Sequence, residues 1–236
     1  MITHPLRRST DWKPNAVGHA AQPRIDVSLV VVVRPGMEGP AWLSDGLPDF
    51  VDEVVVVNTA PDGPSTWPGD AGSLRGEQII LMDGDGTMSP HDIPHYLHYL
   101  GSGFDLVKGS RFIAGGESLS HPFTHRYAHR LLLRLTHILY GQQLTDLWSG
   151  MCAFRRPFLE ALPLHGDPVG IWPQTVVHAL HYGLRVVEVP SHEMPGEVHV
   201  QRHTFQDGIR VLALLWRERP RNTFPRLLTG HRVPHS

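Results

Sequence analysis

The chain has a single cysteine, Cys152, among 236 residues. One thiol excludes an internal disulfide and a cysteine-built metal site, and it suits a reducing compartment. No run approaches the roughly 18 apolar residues of a membrane-spanning helix. Charge of one sign is also lacking. The formal net charge is -2, which gives no global attraction to nucleic acid or to anionic lipid. Residues 1–24 lack the apolar stretch of a signal peptide and read as a loose polar tail. No internal repeat and no low-complexity block is present. These absences point to a cytoplasmic protein, or one peripheral at the inner face of a membrane, with no nucleic-acid partner.

A core is present instead. Hydrophobic residues make up 41% and charged residues 19%, a composition that folds. The length suits one domain, expected over residues 25–219, followed by a basic, Pro-rich tail over 220–236. Val27 to Val33 (VSLVVVV), Val51 to Val57 (VDEVVVV) and Gln78 to Met82 (QIILM) are apolar, mostly β-branched runs, the pattern of strands buried on both faces of a parallel sheet. Asp105 to Lys108, Ala153-Phe154 and Leu184 to Val189 read as further short strands. Ser89 as N-cap and Pro90 at the first helical position start a helix reaching about Leu100. His125 to Tyr140 is helical, with Leu131, Leu132, Leu135, Ile138 and Leu139 as its apolar stripe. Gln174 to Tyr182 is a helix stopped by Gly183. Phe205 to Arg219 is a final amphipathic helix whose stripe is Phe205, Ile209, Leu212 and Trp216. Its expected use is docking on the core. Arg210, Arg217, Arg219 and Arg221 nearby also fit contact with a membrane surface.

Alternating strands and helices give an α/β layered fold with a mostly parallel sheet. Such sheets bind ligands outside the carboxyl ends of their strands. Asn58, Asp83, Asp85 and Lys108 fall at or just past such ends. Asp83 and Asp85 flank Gly84 directly after a core strand. Two carboxylates there suit Mg²⁺ or Mn²⁺, which take oxygen ligands from one or two acids and from substrate phosphates. Gly84 would permit a sharp turn and close approach of a ligand. Asp-Gly is also a common turn dipeptide, and position at a strand end is what favours the metal.

The sequence around the pair resembles glycosyltransferase family 2. Gln78 to Pro94 (QIILMDGDGTMSPHDIP) is similar to its strand, Asp-x-Asp and Pro-helix segment, and Phe104 to Gly116 (FDLVKGSRFIAGG) to its "DlVkGSRf…GG" segment. Arg126, Thr145-Asp146 and Ser149-Gly150 fall where polyprenol-phosphate sugar transferases carry an arginine and then "tDl.sG". Glu188-Val189-Pro190 and Phe205 to Leu212 (FQDGIRVL) resemble later family segments. The likeness runs from about Val27 to Glu218.

The resemblance implies a GT-A fold, a nucleotide-sugar donor, and a polyprenyl phosphate or small hydroxylated acceptor receiving a hexosyl unit. It places the cation of the donor diphosphate on Asp83 and Asp85. It places Arg111 and Arg126 on phosphate oxygens, a task suited to guanidinium, and Lys108, Ser110, Ser149 and Gly150 around the donor. Asn58 stands where the family usually has an aspartate that contacts the nucleoside, and Asp62 is a second candidate there. The resemblance also implies that the region of Asp146 faces the acceptor. Asp146 would be the general base toward an alcohol. Toward a lipid phosphate, which is already anionic, it would position groups instead.

Three departures accompany the likeness. Residues 58–77 lack the family's Gly-Lys-Gly loop and helix, which leaves one wall of the nucleotide pocket open to question. Gly170 to Gln174 lacks a glutamate that many relatives place there. Met194 to Glu197 lacks the arginine and serine of the "R..G.S" loop. They admit a second class, a catalytically degenerate pseudo-glycosyltransferase that binds a nucleotide, lipid or protein. The intact Asp83/Asp85 pair argues against it. His91, His95 and His98, at helical spacing, read as a solvated face in preference to a transition-metal site. His121, His125 and His129 recur at intervals of four, and a place near a phosphate is the less favoured reading of them. Trp148, beside Asp146, could stack on a sugar or lipid or pack in the core.

Overall fold

The computed structural model describes residues 3–4, 26–33, 49–58, 74–118, 123–161, 170–193 and 205–219. Seven strands form one sheet: β1 (Thr3–His4), β2 (Val27–Val33), β3 (Glu53–Asn58), β4 (Gln78–Asp83), β5 (Leu106–Ser110), β6 (Met151–Arg155) and β7 (Val186–Pro190). Their order across the sheet is β1-β3-β2-β4-β6-β5-β7. β2 pairs in parallel with β3 and β4, and β5 with β7. β6 lies antiparallel between β4 and β5, and β1 lies antiparallel on β3. The sheet is therefore mostly parallel in direction, as the apolar runs led us to expect.

Helices cover both faces. Alternate strand residues point to opposite sides. Val30, Val32, Ile79, Leu81 and Phe154 meet one apolar cluster, which includes Leu132 and Leu139 of α2 (Phe123–Tyr140), Phe158 of α3 (Arg156–Ala161), Val176 and Leu180 of α4 (Ile171–His181), and Leu214 and Leu215 of α5 (Phe205–Arg217). Leu29, Val31, Ile80 and Met82 meet the other, which includes Ile93, Tyr96 and Leu100 of α1 (Ile93–Gly101). Burying both faces is what the unbroken apolar strands require.

Local chemistry explains the boundaries. Ser89 Oγ accepts from His91 N, and Pro90–Asp92 forms a 3₁₀ turn ahead of α1. Helix α4 begins at Ile171, earlier than Gln174. Pro173 stands in its first turn, where a missing N–H is not needed. Gly183 has φ +71°, the left-handed cap expected after α4.

Two stripes need correction. On α2, Leu132 and Leu139 are buried, but Leu131 is 68% and Ile138 50% exposed. On α5, Ile209, Leu212 and Trp216 are exposed, and docking runs through Val211, Leu214 and Leu215. α5 does dock on the core, on the row beside the one chosen from periodicity.

The connection from β3 to β4 returns to the sheet through a polar latch. Glu53 Oε1 accepts from Ser28 Oγ at 2.5 Å and from Arg75 N at 2.6 Å, and Arg75 Nε donates to Glu53 Oε2 at 2.9 Å. Ser28 Oγ in turn accepts from Gly76 N at 2.8 Å. Asp62, most of the 58–77 segment, Met194 to Glu197, His121 and the 220–236 tail lie outside the described residues. So do the side chains of Asn58, His125, Arg126 and Phe205.

Candidate active site

The insertion of β6 between β4 and β5 assembles the site. Because β6 runs antiparallel, its beginning lies beside the ends of both neighbours. Asp83 N donates to Gly150 O at 2.8 Å. A Cβ on Gly150 would stand 3.0 Å from Asp83 Cβ. The Ser149-Gly150 turn and the Asp83 strand end thus touch, although 66 positions separate Asp83 from Ser149.

Asp83 and Asp85 are both buried. Asp85 Oδ1 accepts from Thr87 N at 2.9 Å and from Thr87 Oγ1 at 2.6 Å, which fixes the carboxylate's orientation. Gly84 stands in the turn expected of it. Its N–H donates to Val32 O at 2.8 Å, and a Cβ there would lie 2.8 Å from Val33 Cγ2. The glycine lets the turn close onto β2, and the left-handed conformation falls to Gly86, at φ +77°. Among the described residues no group of three or more His, Cys, Asp or Glu side chains could hold a metal. Two carboxylates with a third position supplied by phosphate is the donor set that Mg²⁺ and Mn²⁺ use with nucleotides, and the all-oxygen pair fits it.

Behind the pair lies a buried charge network. Arg111 Nε donates to Asp146 Oδ2 at 2.8 Å and its Nη2 to Oδ1 at 3.2 Å. Arg111 Nη1 stands 3.9 Å from Glu193 Oε1, and Glu193 Oε2 accepts from Ser118 Oγ at 3.0 Å. Lys108 is 1% exposed. Its Nζ donates to Gly109 O at 2.9 Å and to Asp146 O, and lies 3.9 Å from Glu188 Oε1. Glu188 accepts from Thr145 N at 2.8 Å, Thr145 Oγ1 at 2.7 Å and Asp146 N at 3.0 Å. Ser110 Oγ lies 2.6 Å from Thr145 Oγ1. Burial alone raises the pKa of Asp146. The charges of Arg111 and Lys108, and Arg111's hydrogen bonds, outweigh it and hold the carboxyl well below the usual range.

Lys108, Ser110, Arg111 and Asp146 therefore hold one another and the 145–149 loop. The structure brings Asp83, Asp85, Ser149 and Gly150 together on one side, with Lys108, Ser110, Arg111 and Asp146 behind them. Burial works against the Arg111 charge, and the carboxylates around it, Asp146 first and then Glu193 and Asp85, outweigh that and raise its pKa. Glu193 and Thr87 carried no signal in the sequence. Glu188 was visible only as part of the Glu-Val-Pro segment.

The loop also leans on α2. Leu147 N donates to His129 Nε2 at 3.3 Å, and the His129 ring meets the Trp148 ring at 5.4 Å, edge to face. Trp148 is half-buried against this histidine. His91, His95 and His98 are exposed, the solvated face expected of them.

The family model described as Glycosyl transferase family 2 matches residues 73–162, the span from the Arg75 latch through α3. Polyprenol monophosphomannose synthase of Mycolicibacterium smegmatis is 30% identical over 199 residues, covering 80% of this chain and 75% of that protein. Undecaprenyl-phosphate mannosyltransferase of Micrococcus luteus is 27% identical over 180 residues, covering 63% and 73%. Among solved structures, glucosyl-3-phosphoglycerate synthase of Mycobacterium tuberculosis with Mn²⁺ and UDP-glucose superposes with a TM-score of 0.59 at 16% identity, covering 82% of this chain and 78% of that one. That likeness is one of fold, and it matches the sheet and helix layers described above. The collinear motifs, the strand-end acid pair and these relatives together show that the chain belongs to glycosyltransferase family 2 and is a glycosyltransferase of GT-A fold.

Proposed function

We propose that this protein transfers a hexosyl unit from a nucleotide-diphosphate sugar to the phosphate of a polyprenyl phosphate. The observation that carries the choice of acceptor is the state of Asp146. An alcohol must lose its proton as it attacks, and that requires a base near neutrality. Asp146 is fully buried, doubly bonded to Arg111 and held well below the usual carboxylate range. It is a poor proton acceptor. A phosphate monoester is anionic at neutral pH and attacks without one. The names of the mycobacterial and Micrococcus relatives agree with this acceptor class.

The donor diphosphate is assigned to the Asp83/Asp85 side. These two residues would hold the divalent cation, Mg²⁺ or Mn²⁺, which neutralises charge on the departing nucleoside diphosphate. Thr87 keeps the Asp85 carboxylate aimed. Ser149 and Gly150 bring the backbone against Asp83, where a side chain would press on its Cβ at 3.0 Å. Arg111 and Lys108 act as positioning residues that fix the 145–149 loop. Arg126 remains assigned to phosphate, and Asn58 or Asp62 to the nucleoside. The presence of both candidate metal ligands, with Asp85 held by Thr87, favours catalysis over the degenerate binding-protein reading.

The test is a transfer assay with labelled GDP-mannose, UDP-glucose and dTDP-glucose, each offered to polyprenyl phosphate and to small alcohol acceptors. The expected product is an acid-labile glycosyl phosphate on the lipid from one donor. Transfer to alcohols alone would overturn the acceptor reading. No transfer from any donor would favour the binding protein.

A further inference from the structure

Among the described residues, most of the large apolar side chains that stand exposed lie on α2 and α5. Leu131 and Ile138 lie seven positions apart on α2, and Ile209, Leu212 and Trp216 follow at intervals of three and four on α5. Each row lies beside its helix's docked row, so both are left exposed among the described residues. The two helices pack on each other: Tyr140 Oη donates to Leu215 O at 3.4 Å, and a Cβ on Gly208 would lie 4.0 Å from Leu132 Cδ1.

The charges beside the rows are basic. α2 carries no acidic residue over its 18 positions, and Arg130 and Arg134 are exposed on it. On α5, Arg210 and Arg217 are exposed. Asp207 faces Arg210 at 3.3 Å and Glu218 faces Arg217 at 2.9 Å, which partly offsets them. Arg219 stacks on Trp216 at 4.1 Å. The chain continues from α5 into Arg221, Arg226 and Arg232. Apolar rows edged by arginine, with an indole under a guanidinium, match the boundary between acyl chains and anionic headgroups.

We infer that the α2–α5 face docks the protein on an anionic lipid bilayer. No described helix is long and apolar enough to cross a membrane, so the contact lies in the plane of the surface. Its link to the site is direct, because His129 of α2 holds Leu147 N and meets Trp148 in the acceptor loop. The inference deepens the polyprenyl phosphate reading and rests on it for its purpose. The bilayer would bring the lipid's phosphate to the loop that needs it.

The test is flotation of the protein with vesicles of phosphatidylglycerol and phosphatidylcholine, without donor or acceptor. Binding to anionic vesicles should exceed binding to neutral ones by at least about tenfold and fall with salt. Leu131→Gln with Ile138→Gln, and separately Leu212→Gln with Trp216→Gln, should each weaken it by about tenfold or more. Arg130→Glu with Arg134→Glu keeps the apolar rows and should weaken binding by about fivefold per arginine. Transfer to a short, water-soluble polyprenyl phosphate should stay within about twofold in all of them, which confirms that they fold. Absence of flotation, or flotation that none of these variants alters, would overturn the inference. So would a dimer in light scattering that the variants dissociate, which would make this face a contact between copies. Flotation without transfer to any lipid phosphate would leave the docking intact and remove the acceptor reading.

Discussion

Arg111 grips Asp146 through two hydrogen bonds, Nε to Oδ2 at 2.8 Å and Nη2 to Oδ1 at 3.2 Å, with both side chains buried. The pair joins the end of β5 to the loop before β6. It decides what Asp146 can do, because a carboxylate already occupied by guanidinium has little affinity for a substrate proton.

Removing one partner strands the other. Arg111→Met should destabilise the fold by about 3–5 kcal/mol, the usual cost of an orphaned buried charge, measured by urea unfolding at pH 7. Asp146→Asn keeps the shape and should cost less, while transfer activity falls as the loop loosens.

The pair also sets a pH dependence. Asp146 has a folded pKa below its unfolded value of about 3.9. Its ionised form therefore stabilises the protein above that pH, and the contribution is lost as pH falls toward the folded value. The stability gap between the wild type and Asp146→Asn should be full at pH 7 and shrink below about pH 4. A gap that is constant from pH 7 to pH 3 would contradict the assignment.

Thr87 supplies two donors to Asp85 Oδ1. Thr87→Val keeps the backbone donor and the side-chain shape and removes the hydroxyl. Loss of such an orienting contact commonly costs about 10–100-fold in metal affinity. The Mn²⁺ concentration for half-maximal transfer should rise by about tenfold, with kcat at saturating Mn²⁺ changed less.

Gly150 abuts Asp83. A methyl group there would lie 3.0 Å from Asp83 Cβ and 3.3 Å from Met88 Cγ. Gly150→Ala should leave the protein folded, displace Asp83 by a few tenths of an ångström, and weaken Mn²⁺-dependent donor binding by about tenfold. Unchanged binding would show that the contact does not matter.

The strands and the acid pair were legible because they are local. β2, β3 and β4 are apolar runs, and each ends where its polar residue begins. Gly183 and Ser89 capped their helices as their chemistry requires. The buried network was not legible, since Arg111 meets Asp146 across 35 positions and Ser118 meets Glu193 across 75. No spacing rule reaches that far. The helix stripes failed for another reason. α2 and α5 are apolar over more than one row, so periodicity reveals amphipathicity without choosing which row faces the sheet. Gly84 was legible as a turn residue, but its fit against β2 was not, because that contact joins separate strands.

Calorimetric titration of GDP-mannose and UDP-glucose into the protein, with and without Mn²⁺, tests the central claim most directly, with Asp83→Ala and Asp85→Ala alongside. The acid pair as a diphosphate-metal site predicts binding of one donor that needs Mn²⁺ and is weakened at least about tenfold in either variant. Donor binding of equal strength with and without the metal, or unchanged in both variants, would contradict it.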